Sequence, residues 1–345
     1  MKNAKLSIMK QRGLYDEYDR LEEISKLGDP LEQLNKVVKW ESFRHRLKVV
    51  FQKGAKGPGG RPPYDYVMMF KILILQRLYG ISDAQTEYQI KDRLSFMRFL
   101  GLSLNDTIPD EKTIWLFREN LVKANIIDTL FYRFNRQLEE VGLITRTGSI
   151  IDASFVDVPK QRNTPDENDK IKENETPENW NDSKKSQKDV NARWAVKYNE
   201  THFGYKNHIK ADSESKLITK FEVTPASVHD SQVMEKLVDK KKDKAIYADS
   251  AYKGENIEKC LGDKIANHIC EKGYRNKLLT EEQKEANRKR SSIRVRVEHI
   301  FGYMTNSMNG MKIRCIGLER AKFAIGMMNL TYNMCRLGFL KGAKI

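Results

Sequence analysis

The chain is 345 residues long and 39% hydrophobic, which suffices for the buried cores of two or three domains and argues against global disorder. Its 62 Lys and Arg residues outnumber its 47 Asp and Glu residues, for a formal net charge of +15. A protein this basic often binds a polyanion, because neutralised phosphates release their counterions, although a basic surface can also serve solubility alone. No stretch approaches the roughly 18 apolar residues of a membrane helix, and no signal peptide is apparent, so we expect no membrane partner and no secretion.

The cysteines show neither C-x-x-C pairs nor the spacing of a zinc site. We therefore predict reduced core thiols of a cytoplasmic protein, with zinc binding as the alternative. The four residues are Cys260, Cys270, Cys315 and Cys335.

The first 142 residues have the periodicity of helices. Residues 1–63 are predicted to form a helical segment that ends in a basic Gly/Pro-rich linker over 53–63. Residues 64–142 contain a dense apolar run, a helix stop at Gly80 and a cap at Ser82, which predict a compact helical domain. Such a domain could be a helix-turn-helix that reads the major groove of DNA, and a scaffold or dimerisation unit is an equal alternative.

The sequence pattern changes from helical to strand-like at Gly148, where a short β-rich run begins. Residues 160–190 are then almost purely polar, with Trp180 as the single large apolar side chain. Such a composition is typical of an excursion or mobile loop without a core of its own.

The remaining pattern predicts a hairpin around 212–215, a helix capped by Asp230 or Ser231, another strand, and helices to the end. The order strand, hairpin, helix, strand, helices is typical of an RNase H-like α/β domain. We therefore predict an RNase H-like mixed sheet with flanking helices over 143–345, preceded by the all-helical region.

Two aspartates end apolar strands and are followed by small residues. Asp152 follows Ile150 and Ile151, and Asp249 follows the run from Ala245 to Ala248. A charge at the end of a buried strand is costly unless something pairs with it, and two such carboxylates in one sheet can share a cation. A lone aspartate at a strand end is more often a turn former, so the pair carries the prediction.

Glu298 is the candidate third ligand. It lies four residues after Arg294, on the same helical face, in the segment RVRVEHIF. A glutamate on a helix laid against the sheet can reach a cation held by Asp152 and Asp249, with Arg294 facing a DNA phosphate. The ordinary alternative for Arg294 and Glu298 is a surface salt bridge.

Several segments together resemble the transposases of the insertion sequence five group, within the insertion sequence four superfamily of DDE enzymes. The helical stretch over 64–142 also resembles the N-terminal domain of that group. The matching segments are IIDASFVDVPKQ, KDVNARW, HFGYKNHI, VTPASVHDSQV, ADSAYKG, RVRVEHIFGYM and GLERAKFAIGMMNLTYN.

The resemblance implies a Mg²⁺-dependent enzyme that cuts DNA at the inverted-repeat ends of a transposon and joins them to target DNA. The family's three carboxylates fall on Asp152, Asp249 and Glu298, which would hold two Mg²⁺ ions, with Mn²⁺ able to substitute. The interval between Asp249 and Glu298 is too short for a large β-rich insertion domain. Synapsis of two ends implies a homodimer or larger assembly, and the setting would be cytoplasmic, nucleoid-associated and prokaryotic.

One part of the family's signature is absent. The pattern around the glutamate is Tyr, two residues, Arg, three residues, Glu, six residues, Lys, and here Ser291 and Thr305 replace the Tyr and the Lys. Clamping of DNA phosphates is therefore predicted to come from other cations. The candidates are Arg288, Lys289, Arg290, Arg294, Arg296, Arg193, Lys206, Lys253, Lys312 and Arg314.

His229 is a possible accessory residue that could orient a water or a phosphate, with a structural cap as the alternative. Two other functions remain open. The chain could be a catalytically silent DNA-binding regulator, or a nuclease that cuts without joining.

Overall fold

The computed structural model describes residues 13, 15–52, 62–197, 199–274 and 278–342. The predicted basic linker over 53–63 lies outside these residues except for its last two.

The described part of the chain begins with eight α-helices, as the helical periodicity predicts. Local signals set several of their ends: Asp65 and Ser82 cap helices through their side chains, and Gly80 ends one with a φ of +62°. The helical pattern from Asp110 to Gly142 is divided into two helices at Asn125, whose φ is +45°. The helices are α1 Asp16–Lys26, α2 Pro30–Val37, α3 Arg44–Gln52, α4 Tyr66–Tyr79, α5 Asp83–Asp92, α6 Leu94–Leu100, α7 Glu111–Lys123 and α8 Ile127–Glu140.

A six-stranded mixed sheet follows. The central strand β1 pairs antiparallel with β3 on one side and parallel with β5 on the other, while β2 and β4 both pair with β3 and β6 pairs with β5. An antiparallel hairpin followed by parallel strands is the RNase H-like arrangement, so the predicted fold class is confirmed. The strands are β1 Ser149–Asp157, β2 Arg193–Lys197, β3 Glu200–Asp212, β4 Ile218–Pro225, β5 Ala245–Ala248 and β6 Ala266–Ile269.

Two of the remaining helices, α9 and α10, lie in the segment that connects β1 to β2, and the others follow β4. The last one is buried along most of its length, as its apolar sequence predicts. These helices are α9 Pro165–Lys172, α10 Asp182–Gln187, α11 Met234–Leu237, α12 Glu255–Leu261, α13 Glu281–Arg294, α14 Arg296–Asn306 and α15 Leu318–Leu340.

The helical region and the sheet share one hydrophobic core. Ile150 of β1 belongs to this core together with side chains of α2, α4, α7, α8, α14 and α15. The next residue, Ile151, points to the opposite face and packs with α11 and α12 in a second, smaller core. The long helix α15 contacts both β4 and the N-terminal helices, so it joins the two parts of the chain.

The polar segment between β1 and β2 is ordered, contrary to its composition. It contains α9 and α10, and Trp180 is 2% exposed between them. The indole nitrogen of Trp180 donates to Glu167 at 2.7 Å, and Lys184 donates to the same carboxylate at 2.6 Å. The prediction of a segment without a core is wrong here, because one aromatic side chain and its satisfied polar partner suffice to hold two short helices.

The helix after β4 is capped by His229, for which a structural cap was the alternative prediction. His229, and not Asp230 or Ser231, precedes a 3₁₀ turn, and its Nδ1 accepts a hydrogen bond from the Ser231 backbone. The turn then leads into the short helix α11. The structure thus places His229 in the cap role that was its alternative.

The cysteines are free thiols in the described structure, three of them buried. This agrees with the predicted reduced state. Within the described residues, no helix combines the length and apolarity needed to cross a bilayer.

Gly326 is the closest contact between α15 and its neighbours. A Cβ at this position would lie 2.3 Å from Ile127 Cγ1 and 2.9 Å from Phe221 Cζ. We expect Gly326→Ala to lower the free energy of unfolding by up to about 2 kcal/mol in urea titrations, because overpacking costs about 1–3 kcal/mol and the gain in helix propensity offsets about 1 kcal/mol of that cost. Gly302 of α14 is the matched control, because its added Cβ would meet no atom within 4 Å. Equal effects of the two substitutions would contradict the packing account.

Candidate active site

Asp152 and Asp249 lie side by side in the sheet. Ser149 and Ile150 of β1 pair in parallel with Ile246 and Tyr247 of β5, so the same register brings Asp152 level with Asp249. Neighbouring strands are about 4.8 Å apart, which allows two such carboxylates to share a cation. The structure therefore brings together the two aspartates that the strand-end pattern singles out.

Local backbone donors hold both carboxylates. Asp152 accepts a hydrogen bond from the Ala153 N–H at 2.8 Å. Asp249 caps the 3₁₀ turn after β5 by accepting from the Ala251 N–H, also at 2.8 Å. Each carboxylate keeps further lone pairs for another ligand.

Burial is the main influence on Asp152, whose side chain is 17% exposed. Burial raises the pKa of this carboxyl, and the neighbouring Asp249 carboxylate raises it further. The Ala153 N–H and the Arg294 guanidinium act in the opposite direction but do not prevail. The charged form of Asp152 is therefore destabilised by its surroundings, and a bound cation would stabilise it.

Arg294 lies between the aspartates and Glu298. Its Nη1 is 3.0 Å from Asp152 Oδ2, and its Nη2 is 3.9 Å from Glu298 Oε1. The Glu298 side chain is 63% exposed and lies in the first turn of α14. The helix α14 packs against β1. The structure thus pairs Arg294 with carboxylates, where the sequence predicted a phosphate contact.

The carboxylates of Asp152 and Asp249 suit a hard divalent cation, because Mg²⁺ prefers carboxylate oxygens as ligands. A positive charge, that of Arg294, already lies beside Asp152. The three carboxylates do not form a closed ligand cage as they stand. Within the described ranges, no group of three or more His, Cys, Asp or Glu side chains is placed to hold a metal ion.

Tyr252 is buried near the same two carboxylates. Its side chain is 1% exposed, and its hydroxyl has no hydrogen-bond partner among the described residues. Burial raises the pKa of Tyr252 well above its ordinary value, and the nearby Asp230, Asp152 and Asp249 raise it further. The phenol is therefore neutral and packs in the second core.

Most of the cations predicted to contact DNA have a partner within the protein. Arg193 donates to Val190 O and Ile171 O, both at 2.6 Å, which ties the α9–α10 segment to β2. Lys206 is 12% exposed and donates to Val228 O and Asp230, both at 2.8 Å. These two side chains hold the protein together, and contact with DNA would require them to exchange partners.

The other candidates divide into two groups. Arg296 donates to Ser213 O and Arg290 to Ile269 O, each at 2.8 Å. Lys253 pairs with Glu271, and Lys289 pairs with Glu285 at 3.0 Å on an exposed face. Among the described residues, three of the candidates have neither a hydrogen-bond partner nor a carboxylate within 4.0 Å. These are Arg288, Lys312 and Arg314.

A second polar cluster lies behind the candidate site. His208 is fully buried, its Nε2 is 2.8 Å from Thr224 Oγ1, and its Nδ1 is 3.9 Å from Asp230. Burial lowers the pKa of His208 to about 4, with Asp230 opposing the shift and Lys206 and Lys236 adding to it. The imidazole is therefore neutral in the folded protein at pH 7.

His208 should make the fold acid-sensitive. Because its pKa is lower in the folded protein than in the unfolded chain, the unfolded chain binds more protons, and stability is lost as the pH falls from 6.5 toward 4. We expect a loss of about 2 kcal/mol between pH 7.5 and pH 5 from this residue, measured by urea unfolding at each pH. His208→Gln should flatten the dependence by that amount, and an unchanged slope would rule out His208 as its source.

Sequence reasoning singled out Lys312 and Arg314 but missed the groove that they line, between the helical region and the C-terminal segment. It encloses about 860 Å³, and we call it the basic groove, defined by Arg77, Trp115, Arg118, Lys312, Arg314 and Arg320. The available signal was Arg77 itself, the one arginine of the largely apolar helix α4.

Comparison with known proteins supports this architecture. Residues 144–334 match the family described as "Transposase DDE domain", and residues 19–120 match a family described as "Transposase domain (DUF772)". The chain belongs to the DDE transposase family. The first match covers more than half of the chain and contains Asp152, Asp249 and Glu298.

A solved structure resembles this transposase at a low level. It is a piggyBac transposase in a synaptic complex with hairpin DNA, and it shares 10% sequence identity with a TM-score of 0.44. The alignment covers 94% of this chain and 78% of that one. The assignment to the DDE family depends on the domain match alone, and it makes this chain an enzyme of phosphoryl transfer.

Proposed function

We propose that this transposase belongs to the insertion sequence five group, cuts double-stranded DNA at transposon inverted-repeat ends, and joins the freed 3′ ends to target DNA. The observation that carries the proposal is the register of β1 and β5, which sets Asp152 beside Asp249 under the helix that bears Glu298. We also propose a division of the chain into a segment over 1–63, a DNA-end-binding region over 64–142 and a catalytic region over 143–345.

Asp152, Asp249 and Glu298 would hold two Mg²⁺ ions, or Mn²⁺ in their place. When bound, such ions lower the pKa of an attacking water and stabilise the leaving oxygen of the phosphodiester. Asp152 and Asp249 contribute fixed positions, because backbone N–H groups hold both side chains. Glu298 contributes an adjustable position, because an exposed side chain changes rotamer readily.

Arg294 would change partner during the reaction. In the described state it neutralises Asp152, which lowers the repulsion between the two aspartates. If Asp152 binds a cation, the guanidinium is released next to Glu298 and can turn to a DNA phosphate, which suits its planar set of donors. His229 caps its turn in this scheme, and an accessory role for it is not required.

A joined-product assay tests the proposal. Duplexes carrying the DNA that flanks the gene are incubated with the transposase, Mg²⁺ and a supercoiled target plasmid. We expect nicks that expose a 3′-OH at the element ends and labelled ends covalently joined to the plasmid. Cutting without joining would identify a nuclease, and binding without cutting would identify a regulator. Two ends must meet for joining, so we also expect a homodimer or larger assembly in sedimentation runs with end DNA.

A further inference from the structure

The basic groove has more positive charge than its own carboxylates balance. Its walls contain two acidic residues, Asp83 and Glu119, and both are already paired. Arg118 binds Asp83 through two contacts of 2.7 and 2.6 Å. Arg320 binds Glu119, whose side chain is 7% exposed, at 2.7 Å. Three cations of the basic groove are left over.

These three cations have no internal partner. Within the described residues, Arg77, Lys312 and Arg314 lack both a hydrogen bond and a carboxylate within 4.0 Å. Lys312 and Arg314 are exposed on the rim, and Arg77 is partly buried below them. Burial lowers the pKa of Arg77, and the opposing effect of Cys315 and Asp83 does not make up for its desolvation.

The walls of the basic groove are held in place before any ligand arrives. The pair of Glu119 and Arg320 connects α7 to α15, and the pair of Arg118 and Asp83 connects α7 to α5. A groove with fixed walls loses little conformational entropy on binding. Trp115 adds a large side chain that is 49% exposed at its edge.

We infer that the basic groove binds the phosphate backbone of duplex DNA next to the candidate active site. Unpaired guanidinium and ammonium groups in a preformed cleft fit phosphate oxygens and concentrate polyanions. This inference deepens the proposed function and rests on it for the identity of the DNA. It also supplies a phosphate clamp for a chain that has Ser291 and Thr305 where its relatives' pattern has Tyr and Lys.

The basic groove is connected to the strand that carries Asp152. The backbone of Lys312 forms a parallel β-bridge with that of Asp157. Asp157 ends β1 and lies five residues after Asp152. Five residues of strand span roughly 16 Å, which corresponds to roughly five base pairs of duplex at 3.4 Å each. A duplex with one phosphate near Asp152 would therefore reach the basic groove within its next half turn.

Salt-dependent binding tests the inference. Affinity for a labelled 30-base-pair duplex is measured in EDTA over a range of salt, so that cleavage cannot interfere. We expect Arg77→Gln/Lys312→Gln/Arg314→Gln to weaken binding at least tenfold and to reduce the slope of log K against log salt by about 2.7, or about 0.9 per lost phosphate contact. The effect should be the same for end and unrelated sequences, because phosphates carry no sequence information.

The control removes the same charge elsewhere. Lys241→Gln/Lys259→Gln/Lys264→Gln neutralises three exposed lysines around α12, and we expect a slope change below about 1. Lys312→Gln/Arg314→Gln leaves partly buried Arg77 intact, so it keeps the test valid if the triple variant does not fold, and should reduce the slope by about 1.8.

Equal slopes for the groove and control variants would overturn the inference. If the wild type joins ends to a target while the groove variants bind with the wild-type slope, the inference fails and the proposed function stands. If the slope changes as expected while the wild type neither cuts nor joins, the basic groove stands and the proposed function fails.

Discussion

Asp152→Asn should abolish DNA cleavage without unfolding the transposase. The substitution keeps the shape of the side chain but removes the charge needed to hold a cation beside Asp249. We expect the single-turnover cleavage rate with Mg²⁺ to fall on the order of 10³-fold, since bound metal ions supply several kcal/mol of transition-state stabilisation and each 1.4 kcal/mol is tenfold in rate.

The same substitution should leave the free energy of unfolding unchanged or raise it. Burial raises the pKa of Asp152, so its charged form disfavours the folded state at pH 7, and a neutral amide removes that penalty. Loss of the contact with Arg294 offsets part of the gain. The free energy of unfolding of Asp152→Asn should therefore be no lower than that of the wild type in urea titrations.

Asp157→Asn is the matched control. Asp157 lies on the same strand, its side chain is 40% exposed, and it contacts His202 at 3.3 Å. We expect this variant to retain its cleavage rate within about tenfold, because it removes only a partly exposed carboxylate and its contact with His202. Retained cleavage in Asp152→Asn, or an equal loss in both variants, would remove Asp152 from the catalytic role.

Asp243→Ala should be the most destabilising single change among the ion pairs. Lys210 and Asp243 are 1% and 0% exposed at the side chain and lie 2.7 Å apart. Asp243 also accepts from the Asp239 N–H at 2.7 Å and from Ser149 Oγ at 3.2 Å. Removing this carboxylate leaves a buried lysine without a counter-charge, so we expect the free energy of unfolding at pH 7 to fall by about 3–5 kcal/mol.

The pH dependence of the variant identifies the cause. Burial lowers the pKa of Lys210 even with Asp243 present, and loss of Asp243 should lower it further. The unfolded chain then binds more protons than the folded one, so the stability of Asp243→Ala should rise as the pH increases toward the ordinary lysine pKa. Lys210→Met combined with Asp243→Ala should recover much of the loss.

An exposed pair provides the comparison. Lys236 and Glu222 lie 3.0 Å apart, with the lysine side chain 63% exposed. Glu222→Ala should change the free energy of unfolding by less than about 1 kcal/mol, because surface pairs contribute little. A similar loss for Glu222→Ala and Asp243→Ala would mean that burial does not set the cost.

Local rules made much of the fold predictable. Helix ends at Gly80 and Ser82 follow from conformational freedom and capping, which depend on neighbouring residues only. The strand before Asp249 follows from its short apolar run, and the hairpin of β3 and β4 from its turn. The prediction that a strand ends at Asp152 is wrong, because β1 stays paired with β3 as far as Asp157. The wrong prediction for the segment with Trp180 arose because a few cooperating contacts outweighed an unfavourable average composition.

By itself, the sequence determined which carboxylates could act together, because apolar strand runs and helical spacing are properties of the local chain. Only the tertiary structure decided their partners. Arg294 turned to Asp152 because α13 lies across β1, and Arg193 and Lys206 are held inside the protein by groups that local patterns do not reveal. The basic groove likewise joins α4 to the segment before α15, since charges more than two hundred residues apart combine only when the chain is folded.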